Sequence, residues 1–510
     1  MQPGPGPRIQ SGSRSRSALE RGTTGTDRQS GRPSARLPFW PLAVLVGCAL
    51  AIATRDHGPG GESVAWLASG IVCVALIPAA LHARAQLLGR SVGGPIPFMP
   101  LIGCIYAAYY GLPSLLSDQP AGIGHVVSPE SLARGSALGL LGVTALVAGY
   151  CLLGPRVPVG RPLRLDWDPA RARAFAIFML PVGFVAQLAL RTLELPSALI
   201  RPVDLIGMFL PLSAGVIIFL GRSGQAPRAL VRLVWCVVLP AYLVFEAGDG
   251  YVGSAVRIAI FVAMLIWGLG RRIPIAAILI GVVLLATLRA GGHEYRRFQE
   301  SGATDGASVV EQVQEVGGLA YTAWREQGPA ELTASIVERV AQIVVLAGVA
   351  ERTPVSVPFW RGHTYASIPA SVIPRAIWPG KPSKNLGQEF GHRYAYLDPN
   401  DFKTSINLPQ LVECYVNFGR LGVLLGMLAI GVFYRRIEAV LNHPRATDAA
   451  TVAGAMVLST LANIESDASM VFGECLQVMV VLFVASRFVR RPAAAPQGFR
   501  SGLRLAGRTS

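Results

Sequence analysis

The sequence predicts an all-α fold, a polytopic membrane helical bundle of about twelve transmembrane helices with one long outer loop containing amphipathic helices. Three observations carry this. Of 510 residues, 52% are apolar and only 15% charged, with a mean hydropathy of +0.45, whereas a soluble protein carries roughly a quarter charged residues. Apolar runs near the ~20 residues that a bilayer core demands recur along the chain. The basic residues behind the +16 net charge segregate between alternate connecting segments and form no single basic domain, a membrane pattern that argues against a nucleic-acid partner.

The elements follow in chain order. Residues 1–36 are rich in Gly, Ser, Pro and Arg, with seven Arg against Glu20 and Asp27; they have nothing with which to build a core and read as a disordered basic cytoplasmic tail. Residues 37–288 form a nine-helix membrane bundle, with spans near 37–54, 64–81, 96–116, 132–153, 173–190, 203–220, 229–246, 252–270 and 273–288. Residues 289–408 form an extracytoplasmic loop with 12 basic and 12 acidic side chains. Residues 409–486 form a three-helix membrane bundle, with spans near 409–433, 449–464 and 469–486, and 487–510 are a basic cytoplasmic tail. The inner segments hold 26 Lys and Arg against only Arg55, Arg191 and Arg201 in the short outer loops, which places both termini in the cytoplasm.

One stretch tests that parity. In residues 330–349, Ile336, Val340, Ile343, Val344 and Ala347 recur at helical spacing, while Glu331, Glu338, Arg339 and Gln342 take other faces. A thirteenth span there would turn the Arg-rich C-terminus outward, so the expectation is an amphipathic helix lying on the outer surface. The seven cysteines sit in or beside apolar segments without ligand spacing and read as buried small hydrophobes. Glu246, Asp249 and Arg257 flank one tight outer turn, and Glu465, Asp467 and Glu474 mark the last. Charge in the apolar slab costs roughly 2.5–3.5 kcal/mol per residue, so pairing is expected, for instance Glu246 with Arg257, or else a place in a sugar-binding cleft.

The long loop is where chemistry is expected. A paired acidic motif for metal is missing: Asp56 and Glu62 stand six apart in one early outer loop, Asp118 and Glu130 further apart in the next. Walker, GxSxG and HExxH patterns are missing too, so metal, ATP and serine-hydrolase chemistry lose support and no cofactor is expected. The segment 361–394, RGHTYASIPASVIPRAIWPGKPSKNLGQEFGHRY, is the pointed one. Its prolines 369, 374, 379 and 382 stiffen it. All three lysines of the chain fall at 381, 384 and 403. Cations beside an aromatic suit a pyrophosphate leaving group and a sugar face; the alternative is that Trp378 and Tyr394 anchor the loop at the interface while the cations meet lipid headgroups. Arg289, Arg296 and Arg297, just after the ninth span, could hold headgroups or the same pyrophosphate. Glu413 and Asn417, one turn apart on the tenth span, are placed for hydroxyl recognition.

The string Ile373-Pro374-Arg375-Ala376-Ile377-Trp378-Pro379-Gly380-Lys381-Pro382 resembles the IPR-x-x-WP-x-KP signature of bacterial O-antigen polymerases (Wzy type), also called oligosaccharide repeat unit polymerases. Gly362-His363-Thr364-Tyr365 and Glu413-Cys414-Tyr415-Val416-Asn417-Phe418-Gly419 agree with the same family, so the motifs cover about 60 residues and the layout most of the chain. The resemblance implies transfer of a growing glycan from its polyprenyl-pyrophosphate carrier onto a fresh lipid-linked repeat unit, without a metal. Cations must stabilise the leaving pyrophosphate and a base must take the acceptor proton. Arg375 and Lys381, helped by Arg289, Arg296, Arg297 or Arg393, suit the first role; His363, His392 or Glu389 suit the second. Implied partners are the lipid-linked oligosaccharide, membrane lipids, a chain-length regulator and a flippase. A polyprenyl-phosphate-sugar-dependent glycosyltransferase and a transporter of lipid-linked sugars are the competing readings.

Overall fold

The computed structural model describes residues 61–88, 94–117, 120–122, 127–157, 162–248, 252–273, 337–369, 385–402 and 404–490, with a few isolated positions such as Trp378. The expected spans 37–54 and 273–288 lie outside this set, apart from the isolated positions. The described residues are helical and contain no β-strand. Seven helices are long and apolar enough to cross a membrane, or eight if one bent pair is counted as a span. This is the architecture of a multi-pass membrane protein.

In chain order, α1 (Gly61–Ala75) and α2 (Ile77–Leu87) form the bent pair, breaking by 42° at Leu76, two residues ahead of Pro78 in the first turn of α2. They are followed by α3 (Phe98–Leu116), α4 (Pro129–Arg156), α5 (Pro169–Thr192), α6 (Ala198–Arg222) and α7 (Arg228–Glu246). A shorter apolar helix, α8 (Val252–Gly268), ends this series. After it come α9 (Gln342–Arg352), α10 (Leu386–Arg393), α11 (Gln410–Leu441), α12 (Asp448–Leu461) and α13 (Ala468–Val489). Small polar residues start several of them. Ser128, Asp168, Thr447 and Asp467 each accept a backbone N–H three residues on, which satisfies one orphan donor of the first turn.

Helix α4 is the hub, packed against α1, α9 and α11. Its glycines allow the approach: a Cβ at Gly135 would meet Ala347 of α9 at 2.8 Å, and one at Gly142 would meet Leu411 of α11 at 2.8 Å. Such small-residue stripes let backbones close up where no hydrophobic force acts between helices in lipid. At the far end of α11, Asn442 clamps the start of α3, accepting from Ile96 N at 3.0 Å and donating to Ile96 O at 2.5 Å.

Of the 330–349 stretch, residues 330–336 lie outside the described set and the remainder departs from expectation. Instead of lying on a surface with one wet face, α9 buries every residue from Gln342 to Val349. Helical periodicity identified its apolar stripe, but α4 and the segment around Tyr396 cover the remaining faces: Tyr396 Oη donates to Val345 O at 3.4 Å. The six described cysteines are free thiols; Cys414 and Cys475 are buried as expected, whereas Cys73 and Cys236 are exposed on helix faces.

Candidate functional site

The site begins with a break in α11. Phe418 (φ −139°, ψ 15°) and Gly419 (φ 63°, ψ −145°) leave helical geometry inside the string Glu413-Cys414-Tyr415-Val416-Asn417-Phe418-Gly419. Gly419 fits because a positive φ is costly for any residue with a Cβ, and a Cβ there would also press Phe359 at 3.0 Å. The break frees carbonyls that would otherwise accept from the next turn. A second segment takes them up: Trp360 N donates to Val416 O at 2.9 Å and Arg361 N to Asn417 O at 3.2 Å.

Asn417 completes the attachment. Its Oδ1 accepts from Gly362 N at 2.8 Å, and its Nδ2 donates to Thr364 Oγ1 and to Glu413 O, both at 2.8 Å. Both amide protons are thereby committed. Asn417 is 1% exposed, so it positions the loop and does not meet solvent. Glu413, equally buried, accepts from Ala468 N at 2.8 Å and holds the start of α13. Neither is placed for the direct hydroxyl recognition expected of them; both hold the scaffold.

On this anchored loop, His363 Nε2 lies 3.3 Å from Glu389 Oε2, with both side chains 42% exposed. Glu389 and Arg393 stand one turn apart on α10, which Asn385 caps by accepting from Gln388 N at 3.2 Å. Arg393 covers the Trp360 ring at 4.9 Å and donates to Pro358 O at 2.9 Å. The His363 and Trp360 rings meet edge to face, their centroids 5.7 Å apart. The result is a small polar platform, an imidazole–carboxylate pair and a guanidinium packed on a buried tryptophan. Arg361 and Arg420, both exposed, add positive charge from the two segments joined at the break.

The remaining expected residues divide. His392 is on α10 but its ring faces Phe402 at 5.5 Å, and its Nε2 has no hydrogen-bond partner among the described residues. Tyr394 is buried, its hydroxyl 2.6 Å from Thr353 Oγ1, its ring tilted against Phe390 and stacked on Tyr396; it is neither an interfacial anchor nor a sugar contact. Burial pushes its phenol pKa above the ordinary value. Trp378 is exposed. Arg289, Arg296, Arg297, Arg375 and Lys381 lie outside the described residues. Trp360 was missed by sequence reasoning; an aromatic beside a basic residue in Phe359-Trp360-Arg361 was the available signal.

The expected ion pair between Glu246 and Arg257 is replaced by two others. Arg191 Nη2 donates to Glu246 Oε1 at 2.8 Å, and Arg257 Nη1 donates to Glu474 Oε1 at 2.9 Å. The partners are 55 and 217 residues apart in sequence, so the neighbouring charges of a turn were the wrong guide. Glu465 receives a two-pronged bond from Arg339, at 2.8 and 2.6 Å, and a third from Asn407 Nδ2 at 3.1 Å. Asp467, the third acid of the last turn, caps α13. Asp249 lies outside the described residues.

A multi-pass helical bundle with a polar loop docked on a broken helix is thus the class that fold and site define. Residues 210–442, from α6 to the end of α11, match a family described as a domain of unknown function (DUF8712). No curated protein and no solved structure matches the chain.

Proposed function

We propose that the protein is a polysaccharide polymerase that transfers a growing glycan from a polyprenyl-pyrophosphate carrier onto a lipid-linked oligosaccharide repeat unit at the outer face of the cell membrane. One observation carries this reading. Two of the three strings that resemble the O-antigen polymerases, about 50 residues apart, are bonded to each other through Asn417, Gly362 and Thr364. They present a histidine–glutamate pair beside a tryptophan and an arginine.

In this reading His363 takes the proton from the acceptor hydroxyl while Glu389 orients the ring and stabilises the imidazolium. The hydroxyl oxygen forms a bond to the anomeric carbon of the growing glycan. The bond from that carbon to the pyrophosphate oxygen breaks, and polyprenyl pyrophosphate leaves. Arg393, with Arg375 and Lys381 of the third string, neutralises the charge that develops there. Trp360, buried at 5% exposed, backs His363 and Arg393 and holds both beside the reacting atoms.

The competing reading is a transporter of lipid-linked sugars, favoured by the charged side chains lining a cavity inside the bundle. Deleting the gene in its host and profiling surface polysaccharide together with lipid-linked oligosaccharides separates the two. A polymerase leaves single repeat units on the carrier at the outer face, with long chains lost. Single units held at the cytoplasmic face would mean transport, and full-length chains lacking one sugar would mean a single-addition glycosyltransferase.

A further inference from the structure

A cavity of about 720 Å³ opens between α5, α6, α7, α8, α12 and α13. That is within the range of roughly 300–1,000 Å³ typical of small-molecule sites. Its charged residues share one end of the bundle. Asp168 at the start of α5 bonds to Val489 at the end of α13, so Arg191 near the end of α5 lies at the same end as the start of α13. Arg201 at the start of α6, Glu246 at the end of α7 and Arg257 near the start of α8 follow by alternation. This is also the end that carries the platform: Glu413 of α11 holds Ala468 of α13, and α13 packs against residues 365–367. Glu474 lies six residues beyond Ala468, about 9 Å further along the helix axis.

The lining chemistry selects a class of ligand. Three guanidinium groups (Arg191, Arg201, Arg257) are balanced by three carboxylates (Asp204, Glu246, Glu474). A site for pyrophosphate would carry an excess of cations; the described residues of this lining carry none. Guanidinium–carboxylate pairs present donors and acceptors side by side, as sugar hydroxyls require, because each hydroxyl both donates and accepts. Tyr242, Gln187 and Gln477 add neutral polar groups, and Phe261 adds an apolar face for the C–H side of a sugar ring.

We infer that this cavity is a carbohydrate-binding subsite, separate from the His363–Glu389 pair, that holds an uncharged stretch of the lipid-linked glycan. The identity of that glycan rests on the polymerase reading; the binding of neutral oligosaccharide does not.

The test uses the full chain purified in a detergent without sugar headgroups. The probe is the neutral oligosaccharide released from the host's own lipid-linked pool, with inorganic pyrophosphate as competitor, and binding is read by calorimetry. Wild type and His363→Ala are expected to bind the oligosaccharide alike, Thr460→Trp, which fills the cavity, about tenfold or more weakly, and pyrophosphate is expected not to compete. Gln477→Ala, which removes one polar group from the wall without adding bulk, weakens binding in the same direction and decides the matter should Thr460→Trp fail to fold. Absence of binding by wild type, equal binding by the cavity variants, or displacement by pyrophosphate each overturns the inference. Wild-type polymer from His363→Ala cells would remove the polymerase reading while leaving the binding result to stand alone.

Discussion

On the platform, His363 and Glu389 meet at 3.3 Å with each side chain 42% exposed; in the bundle, Arg191 and Glu246 meet at 2.8 Å with only 11% and 13% exposed. Both are pairs of opposite character, yet their surroundings give them different work. A half-exposed imidazole can reach a hydroxyl and exchange its proton, and little stability depends on it. A pair withdrawn from water is held by the cost of separating it, because removing one partner strands a desolvated charge. Reactivity in this molecule is therefore expected where the loop lies open on α11. Selectivity and cohesion are expected where charges close on one another between helices.

The largest effect is expected at another buried pair, Arg339 with Glu465. Replacing Glu465 by Ala leaves Arg339 without its two-pronged acceptor and Asn407 without its bond. A loss of about 3–5 kcal/mol is expected, seen as a large fall in melting temperature of the purified protein. Asn417→Ala comes next. It removes three buried bonds at the break in α11, with about 1–3 kcal/mol expected for each group left unsatisfied. Polymer synthesis should fall more steeply than protein level, because the loop bearing His363 loses its anchor. Gly419→Ala, at φ 63° and 3.0 Å from Phe359, is expected to cost about 1–2 kcal/mol in backbone strain alone and to weaken the same docking. Smallest is Arg201→Gln. Its pair with Asp204 is 3.5 Å long and its side chain 75% exposed, so a melting shift equivalent to at most about 1 kcal/mol is expected.

Much of the bundle was legible in the sequence because apolar length is a direct physical requirement of a bilayer. The expected spans at 96–116, 132–153 and 469–486, for example, coincide with α3, α4 and α13. What escaped is what depends on partners. Residues 342–349 showed a helical stripe, but no pattern reveals that α4 will offer glycines to bury the other faces as well. Glu246 was expected to pair within its own turn, whereas its partner Arg191 stands on a different helix. At the site, His363, Glu389 and Arg393 were legible by residue type, and the structure brings them together around Trp360. His392 and Tyr394, equally suggestive in the string, turn instead to Phe402 and Thr353. Helical position on α10 and the burial of Phe390 decide that division, and neither is a property of the motif alone.

In the proposed reaction the His363–Glu389 pair does the chemistry. The direct measurement is polymer length and the pool of carrier-linked single repeat units in a deletion strain complemented with His363→Ala, at protein level and insertion matched to wild type. Loss of long chains is expected, with the rate of chain growth lowered by about 10²–10⁴-fold and single units accumulating at the outer face. Wild-type chain lengths from that strain would contradict it.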